Sequence, residues 1–120
     1  MVLLDTNIVI YVLSTRSPEL AARVLAQDVA VNWVVRIETL GWHHLAEDDR
    51  RRFERFFDAI TTLPMDEAVY TETIRLRKAH RVQLPDALVA ATAIRHDVEL
   101  WTANMEDFEH ISGLKVSCPV

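Results

Sequence analysis

The sequence predicts an α/β fold built on a parallel sheet covered on both faces. Three observations carry this. Short apolar runs (2–4, 29–35, 61–63, 99–102 and 115–117) alternate with longer stretches of helical periodicity. The stretch from Ala87 to about His96 is apolar nearly all round, the mark of a buried helix rather than an amphipathic one. Finally, 120 residues of which 50% are hydrophobic make one domain with one full core, spanning 1–120.

Each element has its own signal. Val2-Leu3-Leu4 reads as a buried strand ended by Asp5-Thr6-Asn7. Thr6 or Asn7 is expected to cap the helix that follows, with Ile8, Val9, Val12 and Leu13 as its apolar stripe. Ser17-Pro18-Glu19 starts a second helix, with proline in the first turn and Leu20, Ala21, Val24 and Leu25 expected to face the core. Val29 to Val35 is β-branched and apolar apart from Asn32, and reads as a second buried strand, with a helix from Arg36. From Asp48 to Ile60, Phe53, Phe56, Phe57 and Ile60 fall at i, i+3, i+4 and i+7, with the arginines mostly off that stripe. Thr61-Thr62-Leu63 is a short strand stopped by Pro64, and Asp66 caps a helix running to about His80. Leu84-Pro85-Asp86 opens the last long helix. Glu99 to Thr102 reads as a strand, Met105 to about His110 as a short helix and Lys115 to Ser117 as a final strand.

Composition removes several function classes. Thirteen Lys and Arg against 18 Asp and Glu give a net charge of −5, so any nucleic acid must be held by a local basic patch. The single cysteine, Cys118, rules out an intramolecular disulfide and a multi-cysteine zinc site, and suits a reducing cytoplasm. Two glycines and four prolines leave no Gly-rich phosphate loop. No apolar run approaches the roughly 20 residues a membrane-spanning helix needs, and Met1-Val2-Leu3-Leu4-Asp5 lacks the basic start of a signal peptide.

In a parallel sheet the ligand crevice lies beyond the carboxyl ends of the strands, and acids gather there. Asp5 follows the first strand, Thr102, Asn104 and Asp107 follow a late one, Glu38 lies after the second, and Asp86 sits in the first turn of the buried helix. Taken singly, Asp5 and Asp86 also serve as helix caps, and Asn104 with Asp107 as an Asx-turn. Glu38 stands out because it falls between Ile37 and Leu40, where a buried charge needs a partner such as Arg36 or a metal. Several carboxylates in one pocket repel each other unless a divalent cation is present, and an all-oxygen set favours Mg²⁺, with Mn²⁺ possible, over zinc.

Leu4-Asp5-Thr6-Asn7, the isolated Glu38, Pro85-Asp86-Ala87 with its following Ala-Ala-Thr-Ala, and the segment from Thr102 to Phe108 resemble the ordered motifs of PIN-domain ribonucleases. They most resemble the VapC-type toxins of bacterial toxin–antitoxin pairs, and Arg36-Ile37-Glu38, Leu40-Gly41-Trp42 and Ile74-Arg75-Leu76-Arg77 resemble a common VapC subgroup. The resemblance spans essentially the whole chain. It implies a three-layer α/β/α sandwich with a mostly parallel sheet of about five strands. It also implies a metal-dependent endoribonuclease whose catalytic and metal-holding acids are Asp5, Glu38, Asp86 and Asp107, supported by Thr6, Asn7, Thr102 and Asn104. A homodimer and a VapB-like antitoxin partner follow from the same resemblance. The chain departs from the family pattern at Asn32 and Val35, where a Ser or Thr is usual, so the hydroxyl expected to cap the helix of Glu38 is missing.

A phosphodiester substrate needs positive charge near those acids. Arg77, Lys78 and Arg81 share roughly one helical face just upstream of Asp86, with Arg75 beside them. Two rivals stand against the nuclease. A phospho-acceptor receiver domain lacks its acidic pair here, since Asp5 stands alone, and no lysine follows the Trp101 strand. A PIN fold without catalysis, acting as an RNA- or protein-binding module, is the alternative raised by the changed surroundings of Glu38. His43 and Glu47 have i+4 spacing but no second ligand pair, and His80, His96 and His110 are scattered.

Overall fold

The apolar runs become the five strands of one sheet in the computed structural model, which describes residues 1–14 and 17–120. These are β1 (Val2–Leu4), β2 (Val29–Val31), β3 (Thr61–Thr62), β4 (Glu99–Trp101) and β5 (Val116–Ser117). Every neighbouring pair is parallel, in the order β3-β2-β1-β4-β5. Val2 pairs with both Val29 and Glu99, which puts β1 in the middle. All three residues of β1 and all three of β2 are buried. Because successive side chains point to opposite faces, both faces must be covered, and the result is a three-layer α/β/α sandwich.

The helices among the described residues are α1 (Thr6–Leu13), α2 (Pro18–Leu25), α3 (Trp33–Leu40), α4 (Glu47–Ala59), α5 (Glu67–Ala79) and α6 (Leu84–His96). None is long and apolar enough to cross a membrane. α6 buries Ala87, Val89, Ala90, Ala91, Thr92 and Ala93, as its all-round apolar pattern requires. Its small side chains let α5 pack closely on one side, while α3 packs on it as well as on α1 and α4.

Four expectations change. The first helix is capped by Asp5 rather than by Thr6 or Asn7, because β1 runs into α1 with a single extended residue between them (φ −74°, ψ 160°). The second strand ends at Val31. Asn32 is extended and its Oδ1 accepts from the Val35 backbone N–H at 3.1 Å, so α3 starts at Trp33. An asparagine cap is worth about 1 kcal/mol, more than the few tenths by which Val34 and Val35 individually disfavour a helix. Leu25 does not face the core: it is 63% exposed, whereas Leu20 and Val24 are buried. Position 25 lies about 100° round the helix from Val24, on the far side of the stripe. Finally, the late helix is one 3₁₀ turn, Met105–Asp107, cut short where buried Phe108 and Ile111 turn the chain back onto the core.

Candidate active site

With β1 central and β2 and β4 on either side, the crevice of this topology lies beyond the carboxyl ends of β1 and β4. Asp5 is the first residue past β1, and its backbone N–H still donates to the Trp101 carbonyl at 2.9 Å. The side chain is therefore fixed by the sheet itself. Oδ1 accepts from the Thr6 backbone N–H and Oδ2 from the Thr102 hydroxyl, both at 2.9 Å. Thr102 is fully buried just past β4, and its Oγ1 in turn accepts from the Asn104 N–H at 3.0 Å. Burial raises the pKa of Asp5. The hydrogen bonds from Thr102 and Thr6 pull it back, and the charges of Glu38 and Asp107 push it up again.

Glu38 reaches the same place by another route. It lies on α3 and takes a hydrogen bond on Oε1 from the Thr6 hydroxyl at 2.7 Å. Contrary to expectation, Glu38 is not a charge buried in an apolar stretch: both Ile37 and Glu38 are exposed. Arg36 is not its partner either. That guanidinium donates to Thr62 Oγ1 at 3.1 Å and lies 5.4 Å from the centre of the Phe57 ring. The missing hydroxyl is replaced by Asn32, fully buried, which caps α3 and also donates from Nδ2 to Thr92 Oγ1 at 3.1 Å. The bulk of Trp33 points away, with 62% of its surface exposed.

Asp86 lies half-buried in the first turn of α6. Its pKa is pushed up to about 6, first by burial and then by the charges of Asp5, Asp107 and Glu38. Four carboxylates from four separate segments thus sense one another at one end of the sheet. Asp107, exposed at the end of the 3₁₀ turn, is the residue of that segment whose charge reaches both Asp5 and Asp86. Asn104 is exposed beside it and Asn7 half-buried in the first turn of α1.

Depressions flank the carboxylates. Asp86, Asp107 and Glu106 line a cleft of about 400 Å³ together with Arg77, Arg81 and His110. Glu106, Gln83 and His110 had no role in the sequence reading, although Glu106 adjoins Asp107 in the chain. Of the other basic residues, Arg75 is held by Glu72 on its own helix, and Lys78 does not line the cleft. On the other flank, Glu38 sits in the wall of a groove of about 420 Å³ that is largely apolar, with Ile10, Leu13, Trp42, Leu45 and Phe53 among its lining.

The donor chemistry fits a hard divalent cation: every candidate ligand is a carboxylate oxygen, and their mutual repulsion falls when a cation binds. Among the described residues no three of His, Cys, Asp or Glu stand close enough to clasp one ion directly. Mg²⁺ tolerates this, because it takes one or two carboxylates and keeps several waters.

Residues 2–114 match the model of the PIN domain family. No curated protein matches the chain by sequence. Among solved structures, a toxin–antitoxin complex from Klebsiella pneumoniae is similar at 27% identity and a TM-score of 0.85, covering 100% of this chain and 98% of that one. FitAcB from Neisseria gonorrhoeae is 25% identical with a TM-score of 0.80, covering 99% and 98%. VapBC2 from Rickettsia felis, bound to a DNA fragment from their promoter, shares the fold with a TM-score of 0.86 at 19% identity, covering 98% of each chain. With the family model matched over nearly its whole length and the acids gathered beyond the sheet, the chain belongs to the PIN domain family, whose members are in general nucleases.

Proposed function

We propose that this protein is a divalent-metal-dependent endoribonuclease, the toxin of a VapBC-type toxin–antitoxin pair. The observation that carries the reading is the meeting of Asp5, Glu38, Asp86 and Asp107 at one end of the sheet, where Asp86 is pushed up to about 6 by burial and its three acidic neighbours. Such repulsion costs folding stability and persists where a site is arranged for a cation.

Asp5 and Asp86 are the residues to hold a Mg²⁺ or Mn²⁺ ion, directly or through water. When bound, the ion supplies charge neutralisation at the non-bridging phosphate oxygens and lowers the pKa of a coordinated water. Both oxygens of Asp5 already accept one hydrogen bond each, so the carboxylate is locked in orientation yet keeps lone pairs toward the crevice. Glu38 is held through Oε1 by Thr6, which leaves Oε2 to accept a proton from an attacking water. Asp107 completes the negative rim from the opposite segment. The capping of α3 by Asn32 and the tether from Thr6 give Glu38 a defined orientation, which supports the catalytic reading over a non-catalytic binding module.

An antitoxin partner is supported by the similar structures, which are toxin–antitoxin complexes, and by the apolar groove beside Glu38, which suits an apolar segment of another chain. A homodimer is supported by two exposed apolar pairs at i, i+4 spacing, Trp33 with Ile37 on α3 and Tyr70 with Ile74 on α5. Purified protein incubated with RNA, with EDTA and then with restored Mg²⁺ or Mn²⁺, tests the reading: cleavage should stop and resume, and D5N should not cleave at all. Cleavage undiminished in EDTA rejects it.

A further inference from the structure

The cleft that joins Asp86 to Arg77, Arg81 and His110 carries opposite charges that do not neutralise each other. Arg77 and Arg81 take part in no ion pair among the described residues, although Asp86, Glu106 and Asp107 line the same 400 Å³ space. Arg75, two residues before Arg77, behaves oppositely and is held by Glu72 on its own helix. Arg77 lies in the last turn of α5 and Arg81 follows in the loop, so one side chain comes from the helix and the other from the connection to α6. His110 is set from outside the cleft by His80, whose ring meets it edge-on at 5.4 Å. An arginine unpaired beside carboxylates is an anion site waiting for an occupant, and the planar guanidinium fits a phosphate with two parallel hydrogen bonds.

We infer that Arg77, Arg81 and His110 form a subsite for a second phosphate of the RNA strand, adjacent to the one held at the carboxylates. The inference rests on the ribonuclease reading and deepens it. A polynucleotide presents phosphates in series, so one strand would satisfy both halves of the cleft: one phosphate beside Asp5 and Asp86, whose charge a divalent cation would offset when bound, and the next at the arginines. Clamping a neighbouring phosphate fixes the register of the scissile bond, the kind of positioning that raises the rate of the chemical step. His110 donates a ring N–H to the same phosphate. Lys78, outside the cleft, has no part in it.

The test is fluorescence anisotropy of a labelled single-stranded RNA in EDTA, where cleavage is absent, over a series of salt concentrations. R77Q and R81Q are each expected to weaken binding about tenfold and to lower the salt slope by about 0.7, the value for one phosphate contact on a single strand. H110A is expected to weaken binding about threefold with the slope unchanged, the loss of one hydrogen bond. R55Q, the same change on α4 outside the cleft, should leave both readouts alone. Thermal unfolding of each variant checks that it is folded. Unchanged affinity and slope in R77Q and R81Q, in a protein that cleaves RNA, overturns the subsite and leaves the nuclease intact. Loss of affinity only for a poly-glutamate peptide, with RNA binding unaltered, also overturns it, in favour of an acidic protein segment. A wild type that neither binds nor cleaves RNA with Mg²⁺ or Mn²⁺ overturns both readings.

Discussion

Replacing Asp86 by asparagine should make the metal-free protein more stable while destroying its activity, and the size of the gain follows from the electrostatics. The folded chain raises the Asp86 pKa from 3.8 to about 6. At about 1.4 kcal/mol per tenfold, this is a ceiling of about 3 kcal/mol against the charged form. Asp86 is only half-buried, and solvent screening reduces the cost to roughly half. The first turn of α6 repays about 0.5 kcal/mol to a negative charge, which asparagine forgoes. The net expectation for D86N at pH 7.5 in EDTA is a gain of about 1 kcal/mol, or about 3–5 °C in Tm for a domain of this size. The sign with pH is fixed. A raised pKa means that the folded chain holds the proton more tightly, so wild-type stability is complete below about pH 4, declines as pH climbs toward about 6 and stays reduced above it. The advantage of D86N should therefore vanish at pH 4. Adding Mg²⁺ at ten times its Kd should raise wild-type stability by about 1.4 kcal/mol and D86N by far less. Urea or thermal unfolding at pH 4 and 7.5, with and without Mg²⁺, measures all of this. An equal effect of D86N at both pH values, or destabilisation at pH 7.5, would refute the crowding of charge from which the site is inferred.

Other expectations concern the supports of the site. T102V removes the donor to Asp5 Oδ2 and the acceptor of the Asn104 N–H at a fully buried position, and should cost about 1–3 kcal/mol in urea unfolding and most of the cleavage rate. N32A removes both the cap of α3 and the bond to Thr92, for a loss of about 2 kcal/mol, and N32S should recover about half by restoring the cap alone. V24A should cost about 1–2 kcal/mol, whereas L25K on the exposed side of α2 should stay within about 0.5 kcal/mol of wild type by thermal unfolding.

The fold was legible because strand and helix alternate with clear apolar periods, and because α6 is too uniformly apolar to lie anywhere but inside. The boundary at residue 32 is hidden in the sequence for a physical reason. β-branched residues on both sides of Asn32 look like one strand, and only the asparagine, able to cap, marked the change. The placing of Asp5 and Asp107 follows from the rule that loops at strand carboxyl ends converge, whereas Asp86 sits in the first turn of α6, which follows α5 and which the strand pattern does not place. The resemblance marks Glu38, but the burial that its apolar neighbours suggest is absent, and its orientation depends on Thr6, a contact across 32 residues that no local pattern reveals. The cleft-lining roles of Glu106 and His110 depend on where the chain after β4 turns, which local periodicity does not specify.

The carboxylates come from positions 5, 38, 86 and 107, four segments far apart in the chain that one sheet holds together. Any fragment that lacks either Asp5 or Asp107 lacks part of the set. On the ribonuclease reading, a single proteolytic cut between those two positions, followed by separation of the pieces, should therefore abolish cleavage wherever in that stretch it falls.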